Sequence, residues 1–189
     1  AMNVFNFMDG INGITGGYSL VVLTAILYTL NSHTMQAGES LAHWVSSLVT
    51  ITLLADVVFC FFNFRPRAKC FAGDVGSVSI AFIILFSLGF IIVQTRDLSL
   101  LSFLVVYGVD GCLTIIHRLM LHEKISLPHR KHLYQIMANE LHVPHVAVSS
   151  LYMVVQLICC VWYVACPGYL TLLLQIAAVS YTHLRAHET

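Results

Sequence analysis

The sequence is a succession of apolar runs, each long enough to cross a bilayer and separated by short polar segments. Runs of this kind lie near 15–31, 41–62, 76–94, 98–117, 146–165 and 168–179, the last one short. About 20 mostly apolar residues span the hydrocarbon core as a helix, and a helix satisfies every backbone polar group internally. The chain is therefore expected to be an all-α, polytopic transmembrane bundle of about six spans. Composition supports this: of 189 residues, 58% are hydrophobic and only 10% are charged. A soluble domain carries about 25% charged residues, and one aqueous core of this size cannot bury so much apolar surface. A soluble enzyme, a disordered chain and a disulfide-stapled secreted module are excluded. The six cysteines fall mostly within apolar runs and read as small buried hydrophobes.

Nine Lys and Arg balance nine Asp and Glu, so no basic field for nucleic acid exists. Their placement is informative. With residues 180–189 set aside, eight basic residues remain: Arg65, Arg67 and Lys69 share one loop, Arg118, Lys124, Arg130 and Lys131 another, and Arg96 alone falls on the opposite side. The positive-inside rule makes those two loops cytoplasmic, and alternation of the spans puts residues 1–14 there too. The polar segments thus converge on the side where a charged cytosolic substrate is met.

Three polar segments carry candidate chemistry. Asn3-Val4-Phe5-Asn6-Phe7-Met8-Asp9-Gly10-Ile11-Asn12-Gly13 gathers amides, a carboxylate and glycines that permit close backbone approach. It reads equally well as a turn capping the first span. Asn63 to Ser77, NFRPRAKCFAGDVGS, sets Asp74 between Gly73 and Gly76 at a helix start, where unpaired N–H groups and the dipole favour phosphate. A plain helix cap behind a basic anchor fits that segment as well. The loop 118–145 holds His122, His129, Arg130, Lys131, His132, Tyr134, His142 and His145, suited to pyrophosphate oxygens or to lipid headgroups. Two acids lie inside spans. Asp56 is seven residues before Asn63 and Asp110 eight before Arg118, each about 10 Å below the cytoplasmic boundary. Intramembrane carboxylates are functional candidates by default. They also sustain a rival reading, a proton- or cation-coupled transporter using Asp56 and Asp110.

These segments resemble the polyprenyl-phosphate N-acetylhexosamine-1-phosphate transferases. Asn3, Asn6, Asp9 and Gly10 match N-x-x-N-x-x-D-G. Asn63, Pro66, Ala68, Lys69, Phe71, Gly73, Asp74, Gly76 and Ser77 match N-x-x-P-x-A-K-x-F-x-G-D-x-G-S. Arg130, His132 and Tyr134 match H-R-x-H-x-Y, with Asp110 and Thr114 fitting D-x-x-x-T upstream. The resemblance implies transfer of sugar-1-phosphate from a UDP-N-acetylhexosamine to polyprenyl phosphate, with release of UMP, at the cytoplasmic face of a bacterial plasma membrane. It implies magnesium, or manganese, on Asp74, with Asn6, Asp9 and His132 completing the catalytic group. Phe71 is expected to stack on uracil. Asn3, Asn12, Asn63, Lys69, Arg130 and Asp110 are expected to contact substrate, Asp110 at the entry for the lipid phosphate. The H-R-x-H-x-Y-Q form looks most like the branch that initiates O-antigen-like surface polysaccharides, and a homodimer is compatible with the family.

The sequence also departs from the family. Asn12 stands where many relatives carry a second Asp, which puts its value as a metal ligand in doubt. Tyr134 replaces a His. The family's paired-Asp motif, which lies upstream of Asn3, is absent, so residues 1–179 are expected to be part of a larger transferase domain and inactive alone. Residues 180–189, SYTHLRAHET, resemble translated adaptor sequence and are read as a non-native tail.

Overall fold

The computed structural model describes residues 2–32, 39–122 and 132–188. Its elements are α1 (Met2–Met8), α2 (Ile14–Ser32), α3 (Glu39–Asn63), α4 (Gly73–Thr95), a 3₁₀ segment (Leu98–Leu104) leading into α5 (Val105–Met120), the single turn α6 (Leu133–Gln135) running into a π-helical turn (Ile136–Glu140), α7 (His145–Ala165) and α8 (Tyr169–Glu188). No strand occurs among the described residues. Five segments are long and apolar enough to cross a membrane: Ile14–Ser32, Ser40–Asn63, Gly73–Thr95, Leu98–Met120 and His145–Ala165. The expected sixth run is a shorter apolar helix, Tyr169–Leu184, and α8 continues through Glu188 because Leu, Ala and Glu in its tail are good helix formers.

α2 is the central post. It is apolar on every side, as a helix enclosed by others must be, and it packs against α3, α4 and α7. Its core partners include Tyr18, which stacks on Tyr107 of α5 at 3.6 Å between ring centroids. Outward-facing residues such as Ile51, Leu54, Val58 and Phe61 of α3 are exposed, as lipid-facing positions should be. One polar side chain inside the bundle ties three elements together. Gln156 of α7 accepts from the Tyr18 hydroxyl (3.0 Å) and the Val106 amide (3.2 Å), and donates to the Ser102 carbonyl (3.1 Å). All six cysteines are free. Only Cys159 and Cys160 are fully buried, while Cys112 and Cys166 are exposed on outer faces, which corrects the expectation that all are core residues.

The chain reverses sharply at two polar ends. At one, Arg96 takes a left-handed φ of 54° after α4, and Asp97 caps the 3₁₀ segment by accepting from the Ser99 amide at 2.8 Å. At the other, the α1–α2 turn passes through Gly13 at φ 86°, where a Cβ would also meet the Phe64 ring at 2.5 Å. Gly13→Ala therefore combines backbone strain with a steric clash and is expected to cost about 2–3 kcal/mol, read as a lowered midpoint of thermal unfolding.

Candidate active site

The second polar end gathers the three sequence segments. Asn63, at the last residue of α3, is 4% exposed, and its amide is used at both ends. Its Oδ1 accepts from the Gly13 amide (2.7 Å) and its Nδ2 donates to the Cys70 carbonyl (2.7 Å). One side chain thereby pins the 64–72 loop to the α1–α2 turn. Asn12 reinforces the joint: its Nδ2 donates to the carbonyls of Arg65 (3.0 Å) and Pro66 (3.2 Å), and its own carbonyl accepts from Ser149 of α7 (2.7 Å). Both residues were expected to contact substrate, and the structure gives their amides framework bonds. Asn12→Asp, which restores the acid common among relatives, would set a carboxylate against two carbonyl oxygens. It is expected to cost about 2 kcal/mol of stability in a thermal melt.

Asn6 of α1 accepts from the Ser77 hydroxyl of α4 at 2.9 Å, which ties the first segment to the second. Gly73 takes a φ of 62° with open space around it, so backbone conformation is what calls for glycine there, and α4 starts on it. Asp74 follows in the first turn, exposed, with no side-chain hydrogen bond among the described residues. Asp9, just past α1, lies close enough to Asp74 to feel its charge. Burial pushes the Asp9 carboxyl above the usual carboxylate range. The Thr15 hydroxyl and the Gly73 amide pull it down, and the Asp74 carboxylate adds a smaller upward push. Lys69 and Phe71 are exposed on the loop between, and Asn3 is exposed on α1. Arg65 of the same loop is committed elsewhere: its Nε donates to the Phe61 carbonyl (2.6 Å) and its guanidinium sits 4.6 Å from the Phe61 ring centroid.

The third segment arrives through His132 and Tyr134. The Tyr134 hydroxyl donates to the Phe7 carbonyl (2.7 Å), and its ring lies so close to Gly10 that any Cβ there would collide with it. This contact accounts for the glycine of the Asp-Gly pair. His132 is buried, with its Nδ1 3.4 Å from the Thr114 hydroxyl and 3.5 Å from Asp110. Asp110 itself is saturated. Its Oδ2 accepts from Tyr152 (2.9 Å), and its Oδ1 accepts from the Leu133 amide (3.3 Å) and contacts His183 of α8 (2.9 Å). Arg118, expected in the solvated basic loop, belongs to the last turn of α5 and is buried. Arg130 lies outside the described residues. Sequence reasoning did not find Tyr152, Ser149 or the Asp9–Asp74 pairing, since each depends on contacts between distant segments.

The fold and this end together define an all-α integral membrane protein with a polar, loop-built site that carries Asp9 and Asp74. The family model described as glycosyl transferase family 4 matches residues 1–94. The chain is 29% identical over 136 residues to a Bacillus subtilis (strain 168) protein named probable undecaprenyl-phosphate N-acetylglucosaminyl 1-phosphate transferase, covering 70% of this chain and 36% of the relative. It is 36% identical over 83 residues to the Yersinia pestis undecaprenyl-phosphate alpha-N-acetylglucosaminyl 1-phosphate transferase (43% and 21%). It is 34% identical over 88 residues to the protein of that name from Escherichia coli K12 (47% and 23%). Over residues 1–94, about half of the chain, the sequence is similar to glycosyl transferase family 4. It spans about a third or less of the length of these relatives. The transporter reading has no support: these relatives carry transferase names, and the carboxylate of Asp110 is spent on hydrogen bonds.

Proposed function

We propose that the protein transfers a sugar-1-phosphate from a UDP-N-acetylhexosamine to polyprenyl phosphate, releasing UMP and leaving a lipid-linked sugar pyrophosphate. The observation that carries this reading is the joining of α1 to the start of α4 by the Ser77–Asn6 hydrogen bond, which brings the Asp9 carboxyl within electrostatic reach of Asp74. An oxygen of the lipid phosphate forms the new bond to the sugar-bearing phosphorus, and the bond from that phosphorus to UMP breaks. Two anions must approach, so the site's task is charge neutralisation.

Magnesium suits this donor set, because it takes one or two carboxylates and fills its remaining positions with water and substrate phosphate. Asp74 and Asp9, two carboxylates that repel each other, would hold it, with manganese as the alternative. Bound there, it supplies Lewis-acid polarisation of the diphosphate and stabilises the departing phosphate oxygen. The chain's own groups do the rest. The first N–H groups of α4 have no intrahelical partner and point at anions. Lys69 and Arg130 offer cationic contacts to the diphosphate, His132 holds phosphate charge, and the exposed Phe71 ring stacks on uracil. Asn3 lies on the exposed side of α1 toward the substrate. Asn63 and Asn12 serve by fixing the loop that carries Phe71, and Asp110 serves by fixing His132 near the lipid-phosphate entry.

In this reading the site faces the cytoplasm of a bacterial plasma membrane, and the product feeds surface-polysaccharide synthesis. Residues 1–179 are part of the transferase domain, and 180–189 is a non-native tail prolonging α8. The test is incubation of membranes holding the full-length protein with undecaprenyl phosphate and radiolabelled UDP-GlcNAc or UDP-GalNAc. Label in the lipid fraction with matching UMP release supports the reading. Its absence with both donors overturns it.

A further inference from the structure

α1 carries Asn6 and leads directly into Asp9, yet it has only seven residues. Helices shorter than about 12 residues are marginal by themselves, so the place of α1 is set by what holds it. On its apolar side, buried Phe5 meets the rings of Tyr18 and Tyr107 edge-on, at 5.9 and 5.1 Å between centroids. Its far end is fixed by two polar ties on consecutive residues. Asn6 Oδ1 accepts from the Ser77 hydroxyl of α4 (2.9 Å), and the Phe7 carbonyl accepts from the Tyr134 hydroxyl (2.7 Å). The Asp9 amide continues this last turn by donating to the Asn6 carbonyl at 3.3 Å.

The surroundings of Tyr134 hold the second tie in one place. Its side chain has no exposed surface. The ring stacks on His132, 5.9 Å between centroids at 21°, and meets Tyr152 of α7 edge-on at 6.5 Å. On another side it presses on Gly10, where a Cβ would collide with the phenol oxygen. Packed in this way, the hydroxyl has one direction in which to point. The Phe7 carbonyl lies in the last turn of α1, where carbonyls lack intrahelical donors, so the phenol supplies the partner that a buried carbonyl requires. Without it, the carbonyl would turn toward water and loosen the turn that leads into Asp9.

We infer that Tyr134 is a positioning residue: its hydroxyl, bonded to the end of α1, sets the Asp9 carboxyl in register with His132, so that the metal-holding and phosphate-holding segments keep one fixed separation. The inference rests on the transferase reading given above and deepens it, giving a task to a side chain that is wholly enclosed. Such a residue acts on the reaction through geometry alone, where a misplacement of about 1 Å costs about a hundredfold in rate.

Tyr134→Phe in the full-length protein in nanodiscs tests it, because this change keeps the ring and its packing and removes only the tie. Two readouts are taken: the Kd of Mn²⁺ by electron paramagnetic resonance, and steady-state transfer at saturating magnesium. The Mn²⁺ Kd is expected to rise about threefold to tenfold, the range for one neutral hydrogen bond. kcat should fall about tenfold or more, with KM for both substrates within about twofold of wild type. A double-mutant cycle shows whether the effect passes through Asp9: in an Asp9→Asn background, Tyr134→Phe should change the Mn²⁺ Kd by less than about twofold. Gly10→Ala pushes on the same phenol from the other side, should weaken Mn²⁺ binding likewise, and keeps the test decisive if Tyr134→Phe does not fold. A lowered melting midpoint with Mn²⁺ Kd and kcat unchanged, or a Kd loss that persists in full without Asp9, overturns the inference while sugar-phosphate transfer stands. No Mn²⁺ binding and no transfer in wild type would overturn the underlying reading itself.

Discussion

Asp74→Ala in the full-length protein is expected to lower sugar-phosphate transfer by about a thousandfold or more and to leave thermal stability within about 0.5 kcal/mol of wild type. The asymmetry follows from where the residue sits. Asp74 is exposed in the first turn of α4 and makes no side-chain hydrogen bond among the described residues, so folding asks little of it. Its value lies in the charge it presents beside Asp9, and loss of several kcal/mol of charge stabilisation in the transition state multiplies into a rate loss of that order. Radiolabel transfer and a thermal melt on the same preparation check both halves. Transfer undiminished in the variant would remove the central support of the proposed function.

The same pair carries a pH signature. The Asp9 carboxyl sits above its ordinary value, mainly through burial and with a contribution from Asp74. The folded protein therefore keeps a proton there at a pH where the unfolded chain has released it. Asp9's contribution to stability is largest at low pH and is lost as pH rises from the ordinary carboxylate range through the raised value. A cation held by Asp9 needs the ionised form, so activity should fall on the acidic side sooner than for an unperturbed carboxylate. Asp74→Asn removes the repulsion and should widen the pH range over which Asp9 is ionised.

How far the sequence was legible depends on how many bodies each feature needs. Five spans were readable because the bilayer fixes both length and polarity, so each helix announces itself alone. That the segments carrying Asn6, Asp9, Asn63 and Asp74 converge on one polar end was readable because the second segment is long and specific. The uses of those side chains were less so. Asn63 and Asn12 look like ligand-reading amides in one dimension, and only the approach of two loops shows that they bond to backbone carbonyls and an amide. Gly10 looks like conformational freedom, whereas the Tyr134 ring, over 120 residues away, explains it by lack of room. Depth along a helix put Asp56 and Asp110 within apolar helices, where the structure finds both buried. It could not show that one has every oxygen engaged and the other none, because that difference comes from the helices opposite.

Asp110→Ala, by that contrast, should act first on the fold. Its carboxylate receives the Tyr152 hydroxyl from α7 and the Leu133 amide from the segment after α5, and it faces the His132 ring. Deleting it strands these donors in an interior where they have no water to turn to. The expected loss is about 3–5 kcal/mol, the range for removing one partner of a buried charged network. Asp110→Asn keeps an acceptor oxygen for Tyr152 and should lose less, about 1–2 kcal/mol. Because the network positions His132 rather than touching the reacting atoms, the asparagine variant should raise KM for polyprenyl phosphate more than it lowers kcat. Thermal unfolding of both variants, with steady-state kinetics on the asparagine one, separates this from direct participation. A kcat loss as large as that of Asp74→Ala at unchanged KM would move Asp110 into the reaction itself, and an unshifted melting midpoint in Asp110→Ala would mean that the network does not hold α5 to α7.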